Sequence, residues 1–215
     1  MSAPPAWMQT VVAAIRGGAV VWPPATSANG RPAAVLMLFG PTLPGLDGED
    51  VVLTERAADL RSHAGQVSFP GGAIDPGETA SAAALREAQE EIGLDPAGVE
   101  VLAELPPIGL APSGYLVTPV LAWWARPSPV RVVDPVEVAR VVRAPVAELV
   151  DPARRFSVTH PSGYVGPAFN VDGLLVWGFT GTLLAGLLDL AGLAQEWDIG
   201  RHEPLPERFG GGSRR

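Results

Sequence analysis

Four acidic side chains and one arginine stand at fixed spacings in the run from Gly72 to Leu94, GAIDPGETASAAALREAQEEIGL. Thr79 suits an N-cap and Gly93 a left-handed residue just past the last turn, so the spacing predicts a helix from Thr79 to Ile92. At 3.6 residues per turn, Glu87, Glu90 and Glu91 fall within an arc of about 100°, and Arg86 lies about 40° from Glu90. Leu85, Ala88 and Ile92 take the opposite face. The expected helix is therefore amphipathic, with a buried apolar stripe and an exposed carboxylate stripe. Three carboxylates this close repel one another unless a cation sits between them, and hard oxygen ligands suit Mg²⁺ or Mn²⁺. A solvated acidic face is the alternative, and charge patterning alone does not decide between the two.

The full spacing is more specific. It reads Gly72, five residues, Glu78, seven residues, Arg86-Glu87, two residues, Glu90-Glu91-Ile92-Gly93-Leu94. This resembles the Nudix box, the signature of hydrolases that cleave a nucleoside diphosphate linked to another moiety. Every charged or glycine position of that box is filled. The hydrophobic position after Arg86-Glu87 is only Ala88, a mild departure that suggests close helix packing. Immediately upstream, LTERAADLRSHAGQVSFPGG carries Leu53-Thr54-Glu55-Arg56, Arg61, Gly65 and Phe69-Pro70-Gly71-Gly72. That stretch resembles the extra signature of the coenzyme A pyrophosphatase branch of the Nudix family. Weaker echoes follow at Ser113-Gly114-Tyr115, Pro135-Val136-Glu137-Val138 and Trp177-Gly178.

The resemblance implies a metal-dependent hydrolase that splits coenzyme A or an acyl derivative into 3′,5′-ADP and the 4′-phosphopantetheine part. It implies Glu87, Glu90 and Glu91 as ligands of Mg²⁺ or Mn²⁺, with the main-chain carbonyl of Gly72 as a further one. Arg86 is expected behind the ligands, holding Glu90 or Glu78 through a bidentate contact. Glu78 either shares that brace or is an exposed first-turn acid favoured by the helix dipole. Gly71 and Gly72 suit backbone that must approach metal and phosphate closely, or a plain tight turn. Arg56 and Arg61 are candidates for the substrate's phosphates, including the ribose 3′-phosphate, with a surface ion pair the competing account for each. The general base is open among Glu90, Glu91 and Glu137, the last expected on a strand after Asp134-Pro135. His63 is read as structural or as supporting the site from behind, in preference to catalytic, since catalytic histidines need an orienting partner.

Composition narrows the alternatives. All 15 basic residues are arginine and none is lysine, which removes Walker A loops and Schiff-base chemistry. No cysteine is present, so disulfides, thiolate nucleophiles and cysteine zinc sites are excluded, and a cytoplasmic location fits. The formal charge of −8 argues against nucleic acid as a partner, so a polyanionic substrate must be met by local arginines and metal. The expected partner is a small nucleotide of coenzyme A type, and a homodimer is compatible with the sequence. MSAPPAW lacks the basic and apolar regions of a secretory signal. The uncharged run Leu174 to Leu188 is short for a membrane span and reads as a core helix. An intact set of box carboxylates argues against a non-catalytic binding module of the same fold. A hydrolase for another nucleotide, such as a nucleotide sugar, ADP-ribose, a dinucleoside polyphosphate or an oxidised nucleoside triphosphate, is the nearer alternative.

The elements that must position these residues follow from periodicity and punctuation. Trp7 to Arg16 reads as a short amphipathic helix leading into a Pro/Gly-rich connection, so residues 1–32 form a lead-in, 33–193 the domain and 194–215 a loose tail. Strands are expected at 33–39, 51–54, 66–69, 99–104, 115–124 and 136–143, with a loop at 105–113 and one helical turn at 146–150. Residues 156–160 and 168–171 pair across a turn, and a helix from Trp177 to Leu193 closes the domain. This irregular alternation predicts an α/β fold with a mixed central sheet, consistent with the Nudix-type α/β/α sandwich that the resemblance implies.

Overall fold

The computed structural model describes residues 2–18, 30–42, 47–60, 63–110, 114–160 and 163–210. The chain runs α1 (Ala6–Arg16), β1 (Arg31–Pro41), β2 (Glu49–Arg56), β3 (Val67–Ser68), β4 (Gly71–Ala73) and α2 (Ala80–Ile92). It continues through β5 (Val99–Glu104), β6 (Ile108–Leu110), β7 (Tyr115–Trp124), β8 (Val138–Pro145) and α3 (Val146–Val150). The last part holds β9 (Arg155–Thr159), β10 (Val165–Val171), β11 (Leu174–Val176), α4 (Gly178–Leu190), β12 (His202–Pro204) and α5 (Glu207–Gly210).

β1 is the strand on which the fold is built. It is apolar on both faces, as a central strand covered by helices must be. Met37 and Phe39 pack into one core with Met8 and Val11 of α1 and Leu183, Leu184 and Leu187 of α4. Ala34, Leu36 and Leu38 point the other way, into a core with Ala83, Ala84, Ala88 and Ile92 of α2. Ala88, the small residue of the acidic helix, is wholly buried at this contact, as close packing requires. β1 runs parallel to β7, from Arg31 opposite Tyr115 to Phe39 opposite Trp123. It runs antiparallel to β2 and to β4, so the sheet is mixed, with order β3-β2-β1-β7-β5 and β4, β6 and β8 paired alongside. This is an α/β fold, a mixed sheet flanked by helices, of the kind expected from the sequence.

A second sheet, ordered β11-β10-β9-β12, adjoins the first. Its inner residues Phe169, Val171 and Val176 join the α1/α4 core. Thr180 at the start of α4 donates its hydroxyl to the Val67 carbonyl at 3.0 Å, tying this half of the molecule to β3.

The structure departs from the sequence reading in four places. Gly71 and Gly72, which follow the strand expected at 66–69, lie in a further strand, β4, pairing Gly71 with Val35 and Gly72 with Ala34. β6 forms inside the stretch expected to be a loop, because Ile108 pairs with Val117 once the two prolines are passed; residues 111–113 lie outside the described residues. β8 starts at Val138 and not at Val136. Asp134 holds the chain in a turn, its carboxylate accepting from Val136 N at 2.9 Å and its carbonyl from Val138 N at 2.9 Å. Finally, residues 202–210, expected in a loose tail, fold back. β12 pairs in parallel with β9, and Leu205 is buried against Phe156, Val158 and Ala168. No helix among the described residues is long and apolar enough to cross a membrane.

Candidate active site

The acidic helix is held at both ends and along its first turn. Thr79 Oγ1 accepts from Ala82 N at 3.2 Å, and Gly93 closes the C-terminus at φ 70° with its N–H on Gln89 O. Glu104 reaches over from β5 and accepts from both Ser81 N (3.1 Å) and Ser81 Oγ (2.6 Å), satisfying a first-turn donor that the helix leaves free.

On this helix one guanidinium organises three carboxylates. Arg86 donates from Nε and Nη2 to the two oxygens of Glu78, each at 3.0 Å, in a bidentate fork. Its Nη1 donates to Glu87 at 3.0 Å and to Glu90 at 3.2 Å, and Nη2 also reaches the Ala73 carbonyl of β4 at 3.0 Å. The hydrogen bond to Glu78 is the main reason Arg86 holds its proton more tightly than an ordinary arginine, and the same contact lowers the Glu78 pKa. Of the two partners expected for Arg86, Glu78 receives the bidentate contact and Glu90 a single one. Glu78 also accepts from Asp75 N at 3.2 Å, just ahead of the N-cap.

Glu90 and Glu91 are neighbours in sequence and opposites in environment. The Glu90 side chain is 59% exposed, whereas Glu91 is 4% exposed. The expectation that Glu91 lies on an open face is therefore corrected. Helical geometry gives the reason, since Glu91 sits only about 20° around the helix from Ala84, at the edge of the apolar stripe, where β4 packs on it. Its carboxylate accepts from Gly71 N at 3.2 Å. Burial pushes the Glu91 pKa up to about 8, against the lowering effect of that hydrogen bond. Burial also raises Glu87, with Arg86 opposing it.

β4 supplies the backbone beside these carboxylates; Gly71 is required by space, and Gly72 makes room for the Glu87 carboxylate. A Cβ on Gly71, which has φ 152°, would lie 2.2 Å from the Ala34 carbonyl oxygen. A Cβ on Gly72 would lie 2.5 Å from the Glu87 carboxylate carbon. Any side chain here would displace either β1 or Glu87.

The upstream motif folds onto the same place. Arg56 ends β2 at a register shift that re-aims the strand, and its buried Nε has no hydrogen-bond partner among the described residues. It is close enough to Glu91 to favour that carboxylate's charged form. Glu137, exposed in the turn before β8, acts electrostatically on both Glu87 and Glu91, and its carbonyl accepts from Ala57 N at 2.8 Å. Glu137 was expected on a strand; it stands one residue before it, for the turn reason given above. His63, at φ 58°, pairs through Nδ1 with Gln66 Oε1 at 3.1 Å. Arg61 lies outside the described residues. Sequence reasoning missed Glu104 and Ser81, whose pairing across elements leaves no local signal.

Among the described residues no three acidic or imidazole groups are gathered tightly enough to hold a metal ion. Arg86 draws Glu87 and Glu90 to itself, and Glu91 turns in to Gly71. The donor set nonetheless suits a hard divalent cation. It consists of carboxylate oxygens beside glycine backbone that leaves room at Glu87, with the buried Glu91 balanced by no ion pair among the described residues.

The family model of the NUDIX domain matches residues 31–158. The chain is 44% identical over 138 residues to the uncharacterized Nudix hydrolase NudL of Cronobacter sakazakii, a match covering 63% of this chain and 66% of that protein. It is 45% identical over 122 residues to the uncharacterized Nudix hydrolase NudL of Escherichia coli K12, covering 56% and 60%. The matches thus span less than two thirds of the length of these relatives. Among solved structures, the chain is similar to RenU, a Nudix hydrolase from M. smegmatis, at 29% identity. That match covers 55% of this chain and 73% of the other with a TM-score of 0.44.

Proposed function

The chain belongs to the Nudix family, and on that premise we propose that it hydrolyses the diphosphate bond of coenzyme A or acyl-coenzyme A with Mg²⁺ or Mn²⁺. The products are 3′,5′-ADP and (acyl-)4′-phosphopantetheine. The observation that carries this reading is the meeting of two motifs at one place: Arg56, with its unpartnered Nε, lies within electrostatic reach of Glu91, the carboxylate that accepts from Gly71 N of β4.

In this reading Glu87, Glu90 and Glu91 hold the cation, with the Gly72 carbonyl as a further oxygen. When bound, the ion neutralises phosphoryl oxygens and acidifies a water toward neutrality. Arg86 keeps Glu87 and Glu90 on one side of the helix, and Glu78 fixes Arg86 through the bidentate fork. Arg56 offers a permanent positive charge to a phosphate oxygen. With all three helix carboxylates on the metal, the water's proton would go to Glu137, which is exposed and within electrostatic reach of Glu87 and Glu91; with Glu90 or Glu91 left free of metal, it would go to that residue.

The test is a hydrolysis screen with Mg²⁺ and Mn²⁺ over coenzyme A, acyl-coenzyme A, ADP-ribose, a nucleotide sugar, a dinucleoside polyphosphate and oxidised nucleoside triphosphates. Coenzyme A or its acyl form should be turned over with the highest kcat/KM, yielding 3′,5′-ADP. Turnover of another nucleotide with coenzyme A untouched would replace the substrate and keep the metal chemistry. No turnover of any would remove the enzymatic reading.

A further inference from the structure

Residues 202–210 return to the side of the molecule that carries the upstream motif. β12 pairs with β9, His202 opposite Ser157 and Pro204 opposite Thr159, and Leu205 N donates to Thr159 O at 2.9 Å. The chain then turns, with Phe209 N on the Pro206 carbonyl at 2.8 Å. This sets the Phe209 ring 6.0 Å from the ring of Trp177, which in turn lies 6.4 Å from Tyr164. Arg208 covers Phe209 with its guanidinium carbon 4.7 Å from the ring centre.

The far edge of Phe209 faces the turn at 63–66: Phe209 Cε1 lies 3.8 Å from the position that a Cβ on Gly65 would take. Gly65 is bonded directly to Arg56, donating its N–H to the Arg56 carbonyl at 3.1 Å, while Arg56 N donates to Gln66 O at 2.9 Å. The turn has left-handed residues at His63 (φ 58°) and Gly65 (φ 66°), and Gln66 N bonds back to His63 O. Contacts from a distant segment add to the order that these hydrogen bonds give the turn.

We infer that residues 202–210 are a positioning arm: Phe209, set between Trp177 and Gly65, holds the 63–66 turn and through it the backbone of Arg56 in the register that receives substrate. The inference rests on the reading of Arg56 as a phosphate-binding group, and Phe209 itself touches neither substrate nor metal. Order supplied in advance lowers the cost of binding, so the arm acts on substrate affinity more than on the chemical step.

Two measurements on the whole 215-residue chain test this with Phe209→Ala and the conservative Phe209→Leu. The first is amide hydrogen exchange without metal or substrate. In Phe209→Ala the Gly65 and Gln66 amides should exchange about 2- to 10-fold faster, the range expected from losing one aromatic contact, while α2 keeps its protection. Phe209→Leu should recover most of the protection. The second is kinetics on the substrate the screen identifies: KM should rise about 2- to 10-fold in Phe209→Ala, with kcat within about twofold of wild type. Unchanged exchange at the turn, loss of protection in α2 to the same degree, or a fall in kcat at constant KM would each overturn the arm. If wild type turns over nothing, the functional reading falls by itself, and the exchange result alone upholds or overturns the arm's hold on the turn.

Discussion

Arg86 and Arg155 show two ways of placing a guanidinium in one fold. Arg86 lies on α2 with its side chain 31% exposed, shared among Glu78, Glu87 and Glu90. Arg155 begins β9 and is 5% exposed, its guanidinium carbon 5.4 Å from the centre of Phe169 and 5.0 Å from that of Trp197. Its carboxylate partner Asp189 is 3.9 Å away. Carboxylates raise the pKa of the first, whereas burial lowers that of the second. The difference separates two kinds of region. Around α2, charge is concentrated, partly wet and held by short directional bonds, so it can respond to an ion or a phosphate. In the second sheet, a charge is enclosed by aromatic faces and apolar packing, which suits a scaffold.

The contrast predicts different losses in the two regions. The largest is expected in the scaffold. Phe169 is wholly buried under Arg155, and Phe169→Ala should lower unfolding stability by about 3–5 kcal/mol in urea titrations. A cost below about 1 kcal/mol would mean that the sheet is not packed as described.

Next comes Glu91→Gln on the carboxylate side. Turnover should fall about 10²- to 10³-fold. The metal-free protein should melt no lower than wild type, because the amide oxygen still accepts from Gly71 and the cost of burying an acid that is ionised in the unfolded chain is gone. Near-normal turnover in saturating Mg²⁺ would erase the contrast. Arg56→Ala is the third. KM for coenzyme A should rise about 10- to 150-fold and that for 3′-dephospho-coenzyme A hardly at all, if the guanidinium holds the 3′-phosphate. Equal rises would assign Arg56 to the shared diphosphate. The smallest effect is at the cap, where Thr79→Ala should cost about 1 kcal/mol of stability with activity per folded molecule unchanged.

Local signals in the sequence were good guides where the structure is local. Thr79 and Gly93 bound α2 as their residue types require, and the apolar runs of β1 and β7 became the buried centre of a mixed sheet. What the sequence could not carry was pairing at a distance. The burial of Glu91 depends on β4 adding to β1, and a helical wheel knows nothing of that strand. The turn that displaces Glu137 from β8 is set by Asp134, whose part is visible only in hindsight as an Asp-Pro pair. His202-Glu203-Pro204 has neither length nor alternation to announce a strand, and it exists because β9 offers a free edge. In the site, the residue types were legible but their partners only partly so. Arg86 with Glu90 could be foreseen from helical spacing and with Glu78 from the resemblance, while Glu104 on Ser81 could not.

The claim that the carboxylates of α2 form a divalent-metal site is tested most directly by Mn²⁺ binding, followed by electron paramagnetic resonance, to wild type and Glu87→Gln. Wild type should take up Mn²⁺, and Mg²⁺ should compete for the same site. Glu87→Gln should weaken binding at least as much as losing an outer partner of a metal ligand does, ~10- to 100-fold, while leaving the fold intact. Mn²⁺ binding of equal strength in both proteins, or none in wild type, would contradict the account.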